Sequence, residues 1–174
     1  LDAGIAPGDI GIVIHGTTLA TNALIERRGA KTALVTTEGF RDVIEMRTEN
    51  RFEQYDLDLV LPRPLIPRED RFAVRGRIDA QGRELQPLDE AALEALADVI
   101  AERGFGAVAI GFIHSYMNPA HEQRARDILA GRLSIPISIS AEVSPQMREF
   151  ERFNTVCANA YVRPQMADYL SRLQ

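Results

Sequence analysis

The chain has 174 residues, 45% hydrophobic and 26% charged, with a formal net charge of −5, which excludes a disordered chain and argues against a nucleic-acid surface. Its length is enough for one domain with a core of its own, and no apolar stretch is long enough to span a bilayer. A single cysteine cannot form an internal disulfide, so a reducing, cytoplasmic compartment is expected.

The chain opens LDAGIAPGDIG, without Met, and reads as a piece of a longer polypeptide. Ile10–Ile14 is a short apolar β-branched run, predicted as a buried strand. His15, Gly16, Thr17 and Thr18 follow, and Thr17 or Thr18 is placed to N-cap a helix carrying Leu19, Ala20, Ala23 and Leu24. Gly29 suits that helix's C′ position. Lys31–Val35 is a second strand, and Phe40–Met46 a short helical stretch. From Arg47 to Arg71 the periodicity dissolves, and Pro62, Pro64 and Pro67 rule out a helix or central strand there. Arg71–Leu85 is predicted as strands around an Ala80-Gln81-Gly82 turn, a β-hairpin insertion.

The strongest helix signal is Asp89–Arg103. Asp89 is its N-cap, Leu88 and Leu93 a hydrophobic staple, and Leu93, Leu96, Ala97 and Ile100 its buried stripe; Gly104 ends it. Ala107–Ile113 is an apolar strand covered on both faces. Asn118-Pro119 starts the next helix, Ile135–Ile139 forms another strand, and Ser144-Pro145 starts a last helix or helix pair, bent or broken near Pro164. Strands alternating with helices predict an α/β fold with a mostly parallel sheet and helices on both faces, as a single domain over residues 1–174. In such sheets ligands bind beyond the carboxyl ends of the strands. The polar clusters His15–Thr18, Thr36–Glu38 and His114–Tyr116 all fall at such ends.

The Walker phosphate-loop pattern is absent, and the glycines of GFGAVAIG precede a strand instead of following one, against a dinucleotide motif. HGTT has two readings. Its hydroxyls, the backbone near Gly16 and the first helical N–H groups suit an anion, or Thr18 simply caps a helix. His114 is either a polar contact for a ligand or a satisfied core histidine. His121, with Glu122 beside it, reads as solvated; Glu149, Glu151 and Arg152 read either as paired carboxylates for acid–base work or, more commonly, as a charged helix face. Met147, Phe150, Val156 and Tyr161 read as core, and Cys157 as a small buried residue. No set of residues at ligand spacing marks a metal site.

The segment HGTTLATNALIERRGAKTALVTTEGFRDVIEM closely resembles the N-terminal region of the hydantoinase A/5-oxoprolinase family, which includes acetone carboxylase subunits. RFEQYDLDL, PLDEAAL, AVAIGFIHSYMNPAHE and SAEVSPQMREFERFNTVCANAYVRP follow in the family's order. The resemblance implies a fold similar to one ribonuclease-H-like half of the actin-like ATPases. It implies ATP with Mg²⁺, a cyclic-amide substrate activated by phosphorylation of the amide oxygen, and a hydantoinase B-type partner. The family's Asp-x-Gly-Gly-Thr loop is not in this sequence and is expected upstream of Leu1. On the same resemblance Thr17, Thr18 and His114 become candidate catalytic residues, and His15, Gly16, Thr21 and Asn22 candidates for holding substrate or phosphate. Two other functions remain open: ATP-dependent ketone carboxylation, and an assembly module docking its partner through Leu61–Asp70.

Overall fold

The computed structural model describes residues 8, 11–12, 17–48 and 55–172. Of the predicted strand Ile10–Ile14, only Gly11 and Ile12 are described, both exposed and outside regular structure. The rest of that strand, with His15 and Gly16, lies outside the described residues.

In chain order the elements are α1 (Leu19–Ile25), β1 (Thr32–Thr37), α2 (Val43–Met46), a 3₁₀ turn at Arg68–Asp70, β2 (Arg71–Val74), β3 (Arg77–Ile78), β4 (Glu84–Gln86), α3 (Glu90–Glu102), β5 (Ala107–Gly111), α4 (Ala120–Ala130), β6 (Ile137–Ile139), α5 (Ser140–Val143) and α6 (Glu149–Ser171). The main sheet is four-stranded in the order β2-β1-β5-β6. Its strands are all parallel, with Leu34 beside Arg71, Thr32 beside Ala107 and Val108 beside Ile137. Every residue of β1 and β5 is buried, as a parallel sheet covered on both faces requires.

Alternate residues of the central strands feed separate cores. Ala33, Val35, Val108 and Ile110 pack with Leu93, Leu96, Ala97 and Ile100 of α3 and with Ala125 and Leu129 of α4. Each large side chain buried there contributes about 1.5–3 kcal/mol. On the other face Leu34, Ala107 and Ala109 meet Phe153, Val156, Cys157 and Ala160 of α6. Small residues let that helix approach closely: a Cβ on Gly111 would stand 2.6 Å from Phe153 Cδ1.

The α3 signals hold as read. Asp89 Oδ1 accepts from the Ala92 N–H at 3.0 Å, and Gly104 leaves the helix at φ +65°. At α4 the start falls one residue later than read: Pro119 is the N-cap, with no side-chain cap, and Asn118 before it accepts from the Ala120 N–H at 3.0 Å.

Several local readings change. Arg71–Val74 belongs to the main sheet, and only β3 and β4 form the hairpin, because β2 pairs with a strand far back in the sequence. The left-handed residue after α1 is Arg27, at φ 56°, not Gly29, which instead lies against the Tyr161 ring. Ser144 ends α5 and caps nothing, so α6 starts later, at Glu149. That helix then runs unbroken through Pro164. A proline costs one backbone bond, and the buried Ala160 and Tyr161 in the preceding turn hold the helix in place. Met147 is 68% exposed, on the loop before α6, and is not core. Among the described residues no helix is long and apolar enough to cross a membrane.

Candidate functional site

The carboxyl edge of the sheet is built where β5 ends. Past Gly111 the chain leaves the ladder, and side chains from other elements take over its backbone bonds. The Phe112 N–H donates to Glu122 Oε1 at 2.7 Å, and the Phe112 carbonyl accepts from Arg152 Nη2 at 2.6 Å. The Ile113 N–H donates to Thr37 Oγ1 at 3.2 Å, and the His114 N–H to Glu149 Oε1 at 3.4 Å. His114 sits in the left-handed region at φ 55°, an uncommon conformation for a residue with a side chain. Its carbonyl accepts from the N–H groups of Met117 and Asn118, which closes the turn.

Beneath this turn lies a buried polar network. Glu122 and Arg152 are both 0% exposed, against the reading of each as a solvated surface residue. Ser140 links them. Its hydroxyl donates to Glu122 Oε1 at 2.6 Å and accepts from Arg152 Nε at 3.0 Å. Ser115 and Ser140 share a further bond of 3.2 Å in which either hydroxyl can donate. Glu122 Oε2 accepts from the Ala141 N–H at 2.8 Å, and Arg152 Nη1 donates to the Gln146 carbonyl at 3.0 Å. Burial pushes the Glu122 carboxyl above the usual glutamate range, and hydrogen bonds from Ser140, Phe112, Ala141 and Ser115 pull the other way. His121 is also buried rather than solvated, with Nε2 2.9 Å from Glu84 Oε1, which ties the β3–β4 hairpin to α4.

The predicted site residues separate into distinct places. Thr17, Thr18, Thr21 and Asn22 lie exposed at and just inside the start of α1. Thr18 makes no side-chain cap; Thr17 Oγ1 instead accepts from the Leu19 N–H at 3.1 Å. Thr18 Oγ1 accepts from Asn22 Nδ2 at 3.3 Å. Each hydroxyl therefore keeps its own proton to donate outward. His114 is half-buried at the end of β5, with a buried Nδ1 that has no hydrogen-bond partner and a ring edge-on to Tyr116 at 6.2 Å. Thr36 Oγ1 is likewise buried and without a partner. Among the described residues no cluster of His, Cys, Asp or Glu could hold a metal ion.

A cleft of about 480 Å³ opens beside the turn, lined by Phe40, Val43, Arg47, Arg148, Glu149 and Phe150. Arg47 and Arg148 are themselves left-handed, at φ 59° and 82°. Sequence reasoning missed Glu122, Ser140 and Arg152. Their only advance signal was the charge in AHEQ and REFER, which reads equally as a solvated face. Cys157 is core as expected, and burial pushes its thiol up to about 12.

Residues 2–133 match the hydantoinase/oxoprolinase N-terminal region. The caprolactamase subunit alpha of Pseudomonas jessenii is 40% identical over 95% of this chain and 24% of its own length. The crystal structure of the ATP-dependent caprolactamase from that organism superposes with a TM-score of 0.88 at 39% identity, over 98% of this chain and 26% of the other. A nucleotide-free acetone carboxylase superposes with a TM-score of 0.71 at 26% identity, over 86% and 23%. This chain thus spans about a quarter of the length of the relatives it matches. Both the sequence match and the fold place the chain in the hydantoinase/oxoprolinase family, within its N-terminal region.

Proposed function

We propose that the chain forms one wall of an ATP-dependent enzyme that opens a cyclic amide of the hydantoin or 5-oxoproline type. The observation that carries this reading is the likeness to the ATP-dependent caprolactamase over almost the whole chain. The free hydroxyl protons of Thr17 and Thr18 fit a phosphate or amide oxygen, with Thr21 and Asn22 on the same short helix. His15 and Gly16 directly precede Thr17 in the same sequence motif. Among the described residues no carboxylate cluster fits Mg²⁺. When bound, ATP would supply a phosphoryl group to the amide oxygen, opening the carbonyl carbon to attack by water; the ring C–N bond is the one that breaks, its nitrogen leaving as the amine, and the phosphoryl group ends as inorganic phosphate. The chain's own part is positioning and charge stabilisation: hydroxyls donate to developing negative charge, and His114 contacts the substrate from the sheet edge.

The test is coupled turnover in the complete protein with a hydantoin, 5-oxoproline or a lactam. ATP loss and ring opening in fixed ratio are expected. ATP loss that needs bicarbonate and a ketone would instead assign carboxylation, the reaction named for the acetone carboxylase neighbour. No ATP loss with any of these substrates sinks both.

A second reading, docking of a hydantoinase B-type subunit, is favoured by one observation. Tyr55, Leu57 and Val60 are 94%, 96% and 89% exposed, just before the proline-rich segment. Large apolar side chains exposed this close together in the chain suit an interaction site. The segment itself is anchored: Arg27 holds the carbonyls of Arg63 and Pro64, Arg47 holds that of Pro62, and Ile66 is buried. Deleting Leu61–Asp70 would therefore damage the fold. Changing Tyr55, Leu57 and Val60 together to Ser should abolish co-purification of the partner with no loss of folded protein. Retained association rules this docking route out.

A further inference from the structure

We propose that Arg152, acting with Glu122 through Ser140, is a positioning residue that fixes His114 at the carboxyl edge of the sheet. The inference rests on the reading that this edge faces the reacting amide.

The argument runs along the backbone. Phe112 is the first residue beyond β5, and the two opposite charges hold its two backbone groups: Glu122 takes the N–H and Arg152 gives to the carbonyl. Two residues on, the His114 N–H is held by Glu149, whose Oε1 lies 3.5 Å from Arg152 Nη2. Arg152 therefore governs the turn from both ends. It reaches the carbonyl that leads into the turn and the carboxylate that anchors His114. Its guanidinium also lies 5.5 Å from the centre of the Tyr116 ring, on the far side of the turn. A left-handed histidine persists only where its surroundings over-determine it, and these contacts do so.

Stability alone is a weak reason for such a network. Desolvating buried charges is costly, and their apolar replacement is often neutral or better. A defined placement of the backbone is what this one provides, because the donors of Arg152 end on separate segments: Phe112, Ser140 and Gln146. Ser140 is the side chain that bridges the arrangement: its hydroxyl touches both charges, as the backbone of Phe112 also does.

The test uses the complete protein and a readout independent of turnover. Diethyl pyrocarbonate modification of His114, followed by peptide mass spectrometry, reports how firmly the turn is held. Arg152→Met and Glu149→Ala should each speed that modification roughly fivefold, as local opening does. Amide-dependent kcat should fall roughly tenfold with little change in KM, and Arg152→Lys should regain part of both effects. Arg152→Met alone leaves Glu122 buried without its counter-charge and can fail to fold. The double variant Glu122→Gln/Arg152→Met removes both charges and keeps the test open. It should still melt cooperatively, below the wild type, and modify His114 as fast as the single variant. Unchanged His114 modification in the folded double variant and in Glu149→Ala overturns the proposal. If the wild type opens no cyclic amide while the variants still release His114, the substrate reading falls and the positioning role stands.

Discussion

The start of α1 and the exit from β5 are opposites in construction. At α1 the polar residues are exposed, and their bonds reach no further than the next turn: Thr17 to Leu19, Thr18 to Asn22. Beyond β5 the N–H groups of Phe112, Ile113 and His114 and the Phe112 carbonyl are held by side chains from elsewhere, namely Glu122, Thr37, Glu149 and Arg152. One region depends on its own few residues, the other on most of the fold. A change at the first should therefore be felt in ligand contacts and one at the second in stability and geometry.

The largest effect expected is from Arg152→Met, which strands a buried carboxylate and should cost about 3–5 kcal/mol in chemical denaturation. A cost well below that would mean that Glu122 finds another partner, and the contrast between the regions would shrink. Glu122→Gln comes next, at about 1–3 kcal/mol, because the amide NH₂ would face the Ala141 N–H. It also has a pH signature. The folded Glu122 carboxyl titrates above the unfolded one, so between those values the folded state keeps a proton that the unfolded chain has lost. Wild-type stability should thus contain a component that falls as pH rises through that window. Glu122→Gln should remove it, and an identical pH profile in the variant would refute the assignment.

Asp89→Ala sets a scale for the other region. It deletes a formed cap, and thermal melts should show a loss of about 1 kcal/mol. Thr18→Val, with no cap to lose, should stay within about 0.5 kcal/mol of the wild type while strongly reducing ATP cleavage in the complete protein. Destabilisation equal to that of Asp89→Ala would show that Thr18 is a cap after all. Normal ATP cleavage would take it out of the proposed site.

What was legible in the sequence followed the range of the interaction. The cap at Asp89 and the stripe Leu93, Leu96, Ala97 and Ile100 need only neighbours within a turn or two, and both appear as read. Two apolar central strands were equally plain, because burial on both faces leaves a continuous run. Arg71–Val74 was misplaced since a short strand carries no mark of the partner it will choose, and β1 lies far behind it. Glu122 and Arg152 were misread for the same reason. A charge is buried only when its partners arrive, and these arrive from β5, α4, α5 and α6. The candidate residues of α1 were legible as a motif, but their role depends on surroundings that no described bond supplies.

The pairing of β1 with β5 also bears on how the chain reaches its fold. Thr32 lies beside Ala107, so the centre of the sheet closes only after the α2 region, β2, the hairpin and α3 have been gathered between them. Closing so long a loop has an entropic cost before the contacts form, and parallel pairings of this kind are intrinsically slow. The capped helix α3 can form early, since its signals are local. The edge pairings β1–β2 and β5–β6 close shorter stretches of chain, so joining β1 to β5 is the costliest of the three closures.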